Sequence, residues 1–170
     1  MLKRLDDHEF IGITEASLGL DRFFDSPHPY EQQLVKYIEN DKSYGALSPL
    51  DYLEHGETKP IKVEGFERLN FIMFEECRRL GRHFNHNGPV SCHLFLSPKD
   101  SKSFTMHTDP DDVIIYMVQG RKVFESPDGQ VELSAGDSLF IPRGTYHRAI
   151  NVDSSIMLSF GLEQFLEKKL

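Results

Sequence analysis

Cysteine is nearly missing from this chain. Cys77 and Cys92 are the only two among 170 residues. Each sits in an apolar pattern and neither belongs to a C-x-x-C pair, which points to two reduced, packed thiols and a reducing compartment. Long hydrophobic runs are missing too. No stretch approaches the roughly 18 apolar residues that a membrane-spanning helix needs. Positive charge is in deficit, with 19 Lys and Arg against 27 Asp and Glu and a net charge of -8. That balance argues against general affinity for nucleic acid, which requires a basic footprint; it suits a basic partner and serves solubility equally well. Residues 1–7 turn acidic before an apolar segment could form, so no signal peptide is expected and a cytoplasmic location is. Internal repeats and low-complexity segments are lacking.

What remains is an ordinary globular composition, 39% hydrophobic and 27% charged, long enough for one domain with a real core. Its organisation changes along the chain. Residues 10–13 read as a short strand, 25–29 as a loop because two prolines disfavour helix, and 30–40 as a helix with Leu34 and Ile38 on one face. Residues 42–60 read mostly as loop, with one helical turn at 51–54. The strongest helix spans 65–84, where Phe66, Leu69, Met73, Cys77, Leu80 and Phe84 recur every three or four residues, and Glu67, Glu75 and Glu76 supply the wet side. His83 and His86 flank its end, where a cationic or solvated His is common. From residue 90 the period shortens. Strands are expected at 90–97, 113–118, 122–125, 130–133, 138–141, 148–152 and 155–160, with a short helix at 163–170. The continuous apolar run 113–118 suits a strand covered on both faces. The expected class is α+β: a helical part over residues 1–89 packed on a double-sheet barrel over 90–162, followed by the tail 163–170.

Three residues stand out as metal ligands. On a strand, positions two apart face the same way, so His107 and Asp109 can point into one barrel. His147, after the turn Pro142-Arg143-Gly144, can join them from a neighbouring strand. Two imidazoles and one carboxylate on one face leave adjacent positions open, the arrangement of non-haem Fe(II) oxygenases. The segment Gly136-x5-Pro142-x-Gly144-x2-His147-x3-Asn151 carries every fixed position of the second cupin motif, and the chain resembles the cupin superfamily there. In the first motif His107 and Gly120 match, Asp109 replaces the second His and Val113 the usual Glu. The H-x-D form, with the strand-Gly-basic segment 112–122 and the Gly136-Asp137-Ser138-Leu139-Phe140-Ile141-Pro142 lead, resembles the JmjC-type branch over about residues 90–162.

That resemblance implies a double-stranded β-helix, or jelly roll, binding Fe(II) through His107, Asp109 and His147. It implies 2-oxoglutarate as cosubstrate, its far carboxylate anchored by Lys122; Arg121 is adjacent and opposite in facing, so only one of the two can point inward. Ser159 matches a cosubstrate-facing position on the last strand. Phe104 stands where the family has a helping hydroxyl, with Thr105 next to it as the substitute. Ser91 or His93 could reach the same pocket, and Val113, Ile115 and Met117 would wall it with Phe124 beyond, leaving Tyr116 to the outer packing. The implied activity is hydroxylation of a C–H bond in an unidentified substrate, a protein side chain or a small molecule, with no protein base needed beyond the metal ligands. Nucleic acid and membrane are not expected as partners. A homodimer through the helix around Met73 or through Phe165-Leu166 is one option, intramolecular packing of both the other. Two other readings stay open: a metal-dependent cupin enzyme that does not use 2-oxoglutarate, and a non-catalytic cupin that binds a ligand.

Overall fold

The computed structural model describes residues 1–164. In chain order its elements are β1 (Lys3–Arg4), α1 (Glu15–Leu18), α2 (Leu20–Asp25), α3 (His28–Glu31), β2 (Val35–Glu39), β3 (Lys42–Gly45), α4 (Pro49–Gly56), β4 (Ile61–Val63), a 3-10 turn (Phe66–Arg68) and α5 (Phe71–His83). Seven strands follow: β5 (Val90–Ser97), β6 (Asp112–Gln119), β7 (Arg121–Ser126), β8 (Gly129–Ser134), β9 (Ser138–Ile141), β10 (Arg148–Asn151) and β11 (Ser155–Leu162). The second half therefore follows the expected series of short strands. The helix expected at 163–170 lies outside the described residues, except Glu163 and Gln164, which belong to no helix.

The first half departs from the pattern reading in several places. Residues 10–13 form no strand; the N-terminal strand is β1. Residues 28–31 are helical despite their prolines, because Pro29 occupies the first turn, where no backbone donor is needed. Residues 35–39 are a strand and not a helix. Gln33, at φ 55°, turns the chain away from helix, and β2 then pairs with both β3 and β4. Val35 and Ile38 are both buried, a spacing of three that imitates a helical face. On a strand it puts them on opposite faces of a sheet covered on both sides. Residues 49–56 make two turns of helix rather than one, begun by Pro49 and capped by Ser48, whose Oγ accepts the Asp51 N–H. The helix expected at 65–84 is broken in two. Asn70 restarts it by accepting the Met73 N–H at 3.1 Å, and Leu69 and Phe74 face outward. Glu76, assigned above to the wet side, is buried, held by His8 and by Arg79 at 2.6 Å. Met73 is fully buried and packs within its own chain. No helix among the described residues is long and apolar enough to cross a membrane.

The strands assemble into two facing sheets. One has eight strands in the order β1-β9-β6-β11-β5-β4-β2-β3, the other three in the order β10-β7-β8. This is the double-stranded β-helix, with residues 1–89 contributing strands to both edges of the large sheet as well as helices. Alternation along β6 divides the interior. Val113, Ile115 and Met117 face the small sheet and pack with Phe124, Leu133 and Met157. Ile114 and Tyr116 face the other way, toward α5 and the N-terminal segment, where Tyr116 stacks on Phe10 at 4.2 Å. The chain crosses between sheets at Gly120, where φ is 77° and a Cβ would lie 2.1 Å from the Ser154 carbonyl oxygen. No other residue fits there.

The break at Asn70 makes a contrast that unfolding measurements can read. Phe66 is 0% exposed and Phe71 is 75% exposed. Phe66→Ala should cost about 3–5 kcal/mol and Phe71→Ala within about 0.5 kcal/mol, measured by urea denaturation. Equal costs would mean that α5 presents a different face to the sheet.

Candidate active site

His107 and His147 face each other as an isolated antiparallel bridge between the ends of two loops. The His107 N–H donates to the His147 carbonyl at 3.0 Å, and the His147 N–H donates back at 2.9 Å. The reciprocal bonds bring the ring centroids to 4.6 Å. Each ring is aimed by a further bond of the same kind. Nδ1 of His107 lies 2.8 Å from the Thr105 carbonyl oxygen, and Nδ1 of His147 lies 2.9 Å from that of Thr145. A carbonyl oxygen can only accept, so each Nδ1 carries the proton and donates it. Both Nε2 lone pairs are thereby left free, which is the tautomer a metal ligand requires.

Asp109 completes the group. Its Oδ1 is 3.8 Å from His107 Nε2 and its Oδ2 is 3.5 Å from His147 Nε2. The backbone that presents it is tied across by Gly144, which donates its N–H to the Asp109 carbonyl at 2.9 Å from the turn after β9. Gly144 sits at φ 74°, where a side chain would be strained. The three potential ligand atoms lie within 4.8 Å of one another. Holding one ion at bonds of about 2.0–2.2 Å would require the three to draw closer together. The donor set, two neutral imidazoles and one carboxylate on one side, fits a divalent transition metal with open positions opposite. His83 and His86 join no such group among the described residues; His83 instead lies 3.4 Å from Asp7.

A family profile described as a cupin domain matches residues 93–160. Among curated proteins, the chain is 27% identical over 104 residues to the bifunctional lysine-specific demethylase and histidyl-hydroxylase NO66 of Drosophila yakuba, covering 46% of this chain and 15% of that protein. It is 24% identical over 131 residues to the NO66 of Dictyostelium discoideum, covering 62% of this chain and 25% of that protein. Among solved structures, YcfD of Escherichia coli, described as a ribosomal oxygenase, superposes with a TM-score of 0.61 at 18% identity over 94% of this chain and 47% of its own. The chain thus has the cupin fold, with the profile match confined to residues 93–160. It spans only a quarter or less of the length of these NO66 relatives and about half that of the YcfD chain.

In this fold the three ligand candidates open onto a cavity of about 290 Å³ between the two sheets. Val113, Ile115 and Phe124 line it, as do Ser91, His93 and Ser159. Met117 is buried further along and does not. Ser159 lies in the middle strand of the row, opposite His93 on one side and Ile115 on the other. Lys122 also reaches this cavity. It is 1% exposed, and its Nζ donates to Ser97 Oγ at 3.1 Å and sits 5.8 Å from the centre of the Phe95 ring. No carboxylate pairs with it among the described residues, and burial pushes the amine down from its usual 10.5 to about 7. Arg121 faces outward, paired with Asp153 at 2.6 Å and Glu132 at 3.2 Å. The facing of the two cations is thus as read from the strand period.

His93 is a neutral group here. Gly65 donates its N–H to His93 Nδ1 at 3.2 Å, so Nε2 carries the proton. Burial first, then the nearby charge of Lys62, lowers its pKa from 6.5 to about 4. Thr105 is not where the sequence reading put it. It does not line the cavity; its hydroxyl donates to Asp41 at 2.8 Å on the outside of the loop. Phe104 lines the cavity in its place. Three residues near the site carried no sequence signal: Ser97, Gly65 and Asp41, each of which acts through a partner distant in the chain. Asn151, the last position of the second motif, ties the loop's beginning to β10 by donating to the Ser101 carbonyl at 2.9 Å.

The Lys122 shift has a sign that can be measured. The unfolded chain holds this proton up to about pH 10.5 and the folded chain only to about 7, so in that window unfolding takes up protons and stability rises with pH. Lys122→Met removes the charge and keeps the stem. Relative to the native protein, this variant should gain stability as pH falls from about 10 to 7, read from urea midpoints across that range. A difference that stays flat with pH would show that the ammonium has a counter-charge.

Proposed function

We propose that this chain is an oxygenase that uses Fe(II) and 2-oxoglutarate to hydroxylate a C–H bond of a bound substrate. One observation carries the reading: a single cavity holds both the open His107, Asp109 and His147 group and a buried amine that has no carboxylate partner among the described residues. A buried cation is costly unless something pairs with it. 2-Oxoglutarate has a chelating end for a metal and a carboxylate for the ammonium. YcfD has also been solved with cobalt and succinic acid, at a TM-score of 0.61 and 20% identity to this chain. A divalent ion beside a dicarboxylate in that fold supports the assignment.

His107, Asp109 and His147 would hold the metal by Nε2, a carboxylate oxygen and Nε2, each imidazole kept in register by its Nδ1–H bond to a carbonyl. Bound together, Fe(II), 2-oxoglutarate and O2 supply the oxidation: the cosubstrate becomes succinate and CO2, and the second oxygen atom enters the substrate C–H bond. Lys122 would bind the far carboxylate, with the Ser97 hydroxyl beside it. Ser159 and the His93 Nε2–H face the same space and can donate to a cosubstrate oxygen. Val113, Ile115 and Phe124 form an apolar wall on one side of this space. No general base is required of the protein. The names of NO66 and YcfD describe a histidyl-hydroxylase and a ribosomal oxygenase, which supports a protein side chain as the substrate. The net charge of -8 favours a basic segment. The two buried free thiols fit the reducing cytoplasm.

Anaerobic titration with Fe(II) and then 2-oxoglutarate should develop the charge-transfer band of the chelate, and admission of O2 should yield succinate. Lys122→Ala should weaken 2-oxoglutarate about 10–100-fold, the loss of one charge-assisted pair, and leave Fe(II) affinity unchanged. His147→Ala should abolish both. If the native protein binds Fe(II) but gives neither band nor succinate, the chemistry is that of a metal cupin that does not use 2-oxoglutarate. If it binds no metal, the site is a ligand-binding cavity.

A further inference from the structure

The loop that carries His107 is held from outside the cupin core. Strands β2 and β3 form a hairpin whose two tip residues, Asn40 and Asp41, have φ of 49° and 64° between the paired Glu39 and Lys42. Two such residues at positive φ are the pattern of the tight type I′ turn. The turn delivers the Asp41 carboxylate to Thr105. Oδ1 accepts the Thr105 N–H at 2.8 Å and Oδ2 accepts the Thr105 hydroxyl at 2.8 Å. The carbonyl of the same Thr105 accepts the Nδ1–H of His107 at 2.8 Å. The two bonds from Thr105, the backbone one first, hold the Asp41 carboxyl below its ordinary range although it is exposed to solvent.

We infer that Asp41 is a positioning residue for the metal centre, acting through Thr105 to fix the ring plane and tautomer of His107. The inference rests on the reading above, that His107, Asp109 and His147 bind a divalent ion. Of the two histidines, His107 needs the help: its side chain is 38% exposed against 6% for His147, and it lies in no regular strand. His147 leads directly into β10. His107 has the reciprocal bonds to His147 on one side and the Thr105 carbonyl on the other, and that carbonyl is only as well placed as the residue bearing it. The hairpin lies outside the segment matched by the cupin profile. Thus the N-terminal part of the chain, which supplies no ligand, sets the affinity of the centre.

The position allows a clean test. Ala at Asp41 would be strained at φ 64°, whereas Asp41→Gly removes the carboxylate and creates the Asn-Gly pair that type I′ turns favour. The hairpin itself should therefore not weaken. Co(II) is titrated into apoprotein by its visible absorption. Asp41→Gly should weaken Co(II) about 10–100-fold, the usual effect of losing a partner that orients a ligand. Thr105→Val, which loses one bond of the two and no charge, should weaken it by a smaller factor, and Thr105→Ser should restore native affinity. The double variant Asp41→Gly/Thr105→Val should be no worse than Asp41→Gly alone, since both act through one contact. Hydrogen exchange over residues 103–109 of the apoprotein should rise in Asp41→Gly. If Asp41→Gly weakens Co(II) while Thr105→Val does not, the carboxylate acts only through its field and the positioning inference is overturned. Native affinity in both variants overturns it as well, leaving the proposed function standing. Failure of the native protein to bind Co(II) overturns both.

Discussion

The two backbone hydrogen bonds between His107 and His147 are the contact on which the centre depends. They join residues 40 positions apart in the sequence, and they do so at the two positions whose side chains must converge. A strand pair fixes side-chain direction through its backbone, so making the two histidines a bridged pair settles distance and orientation together. Everything nearby supports that bridge. Gly144 ties the Asp109 backbone to the turn before His147, Asn151 holds the start of the loop to β10, and Asp41 holds Thr105.

The second constraint is the polar content of the inner sheet face. A cavity between two β-sheets is ordinarily filled with aliphatic side chains, as it is around Met117 and Leu133. Here Lys122, His93, Ser159 and Ser91 enter it as well. Each is given a defined hydrogen-bonding state from behind or a position in the strand row. Ser97 accepts from Lys122, and Gly65 donates to His93. The consequence is a polar interior, at a cost in folding stability that Lys122 bears because burial disfavours its charge.

The helices of residues 1–89 cover the opposite face of the large sheet, and the strands of this part extend both of its edges. Their reading from sequence was the less successful one, and the cause is specific. Leu34 and Ile38, four apart, satisfy a helical period, while Val35 and Ile38, both buried, fit a strand covered on two faces. Asn70 interrupts an apolar stripe that continues in period on either side of it. Pairing with β4, a contact distant in the chain, decides the first, whereas the second is decided by Asn70 capping the Met73 amide three residues on.

In the second half the sequence was far more legible. Strand alternation separated Lys122 from Arg121 and Tyr116 from its neighbours, because the period of two is enforced by the pleat. The Gly-Pro-Gly-His-Asn spacing and His107-x-Asp109 identified the three residues that the fold brings together. Those features are local, and a local pattern is sufficient to fix them. Tertiary structure alone decided what surrounds them. Thr105 was read as a cosubstrate contact because it is one position from where a hydroxyl was expected, but a hairpin tip 64 residues earlier claims it. Ser97 behind Lys122 and Gly65 behind His93 are likewise separated from their partners by 25 and 28 residues. Contacts over such distances leave no period, spacing or propensity in a single sequence, since they exist only once the sheets have closed.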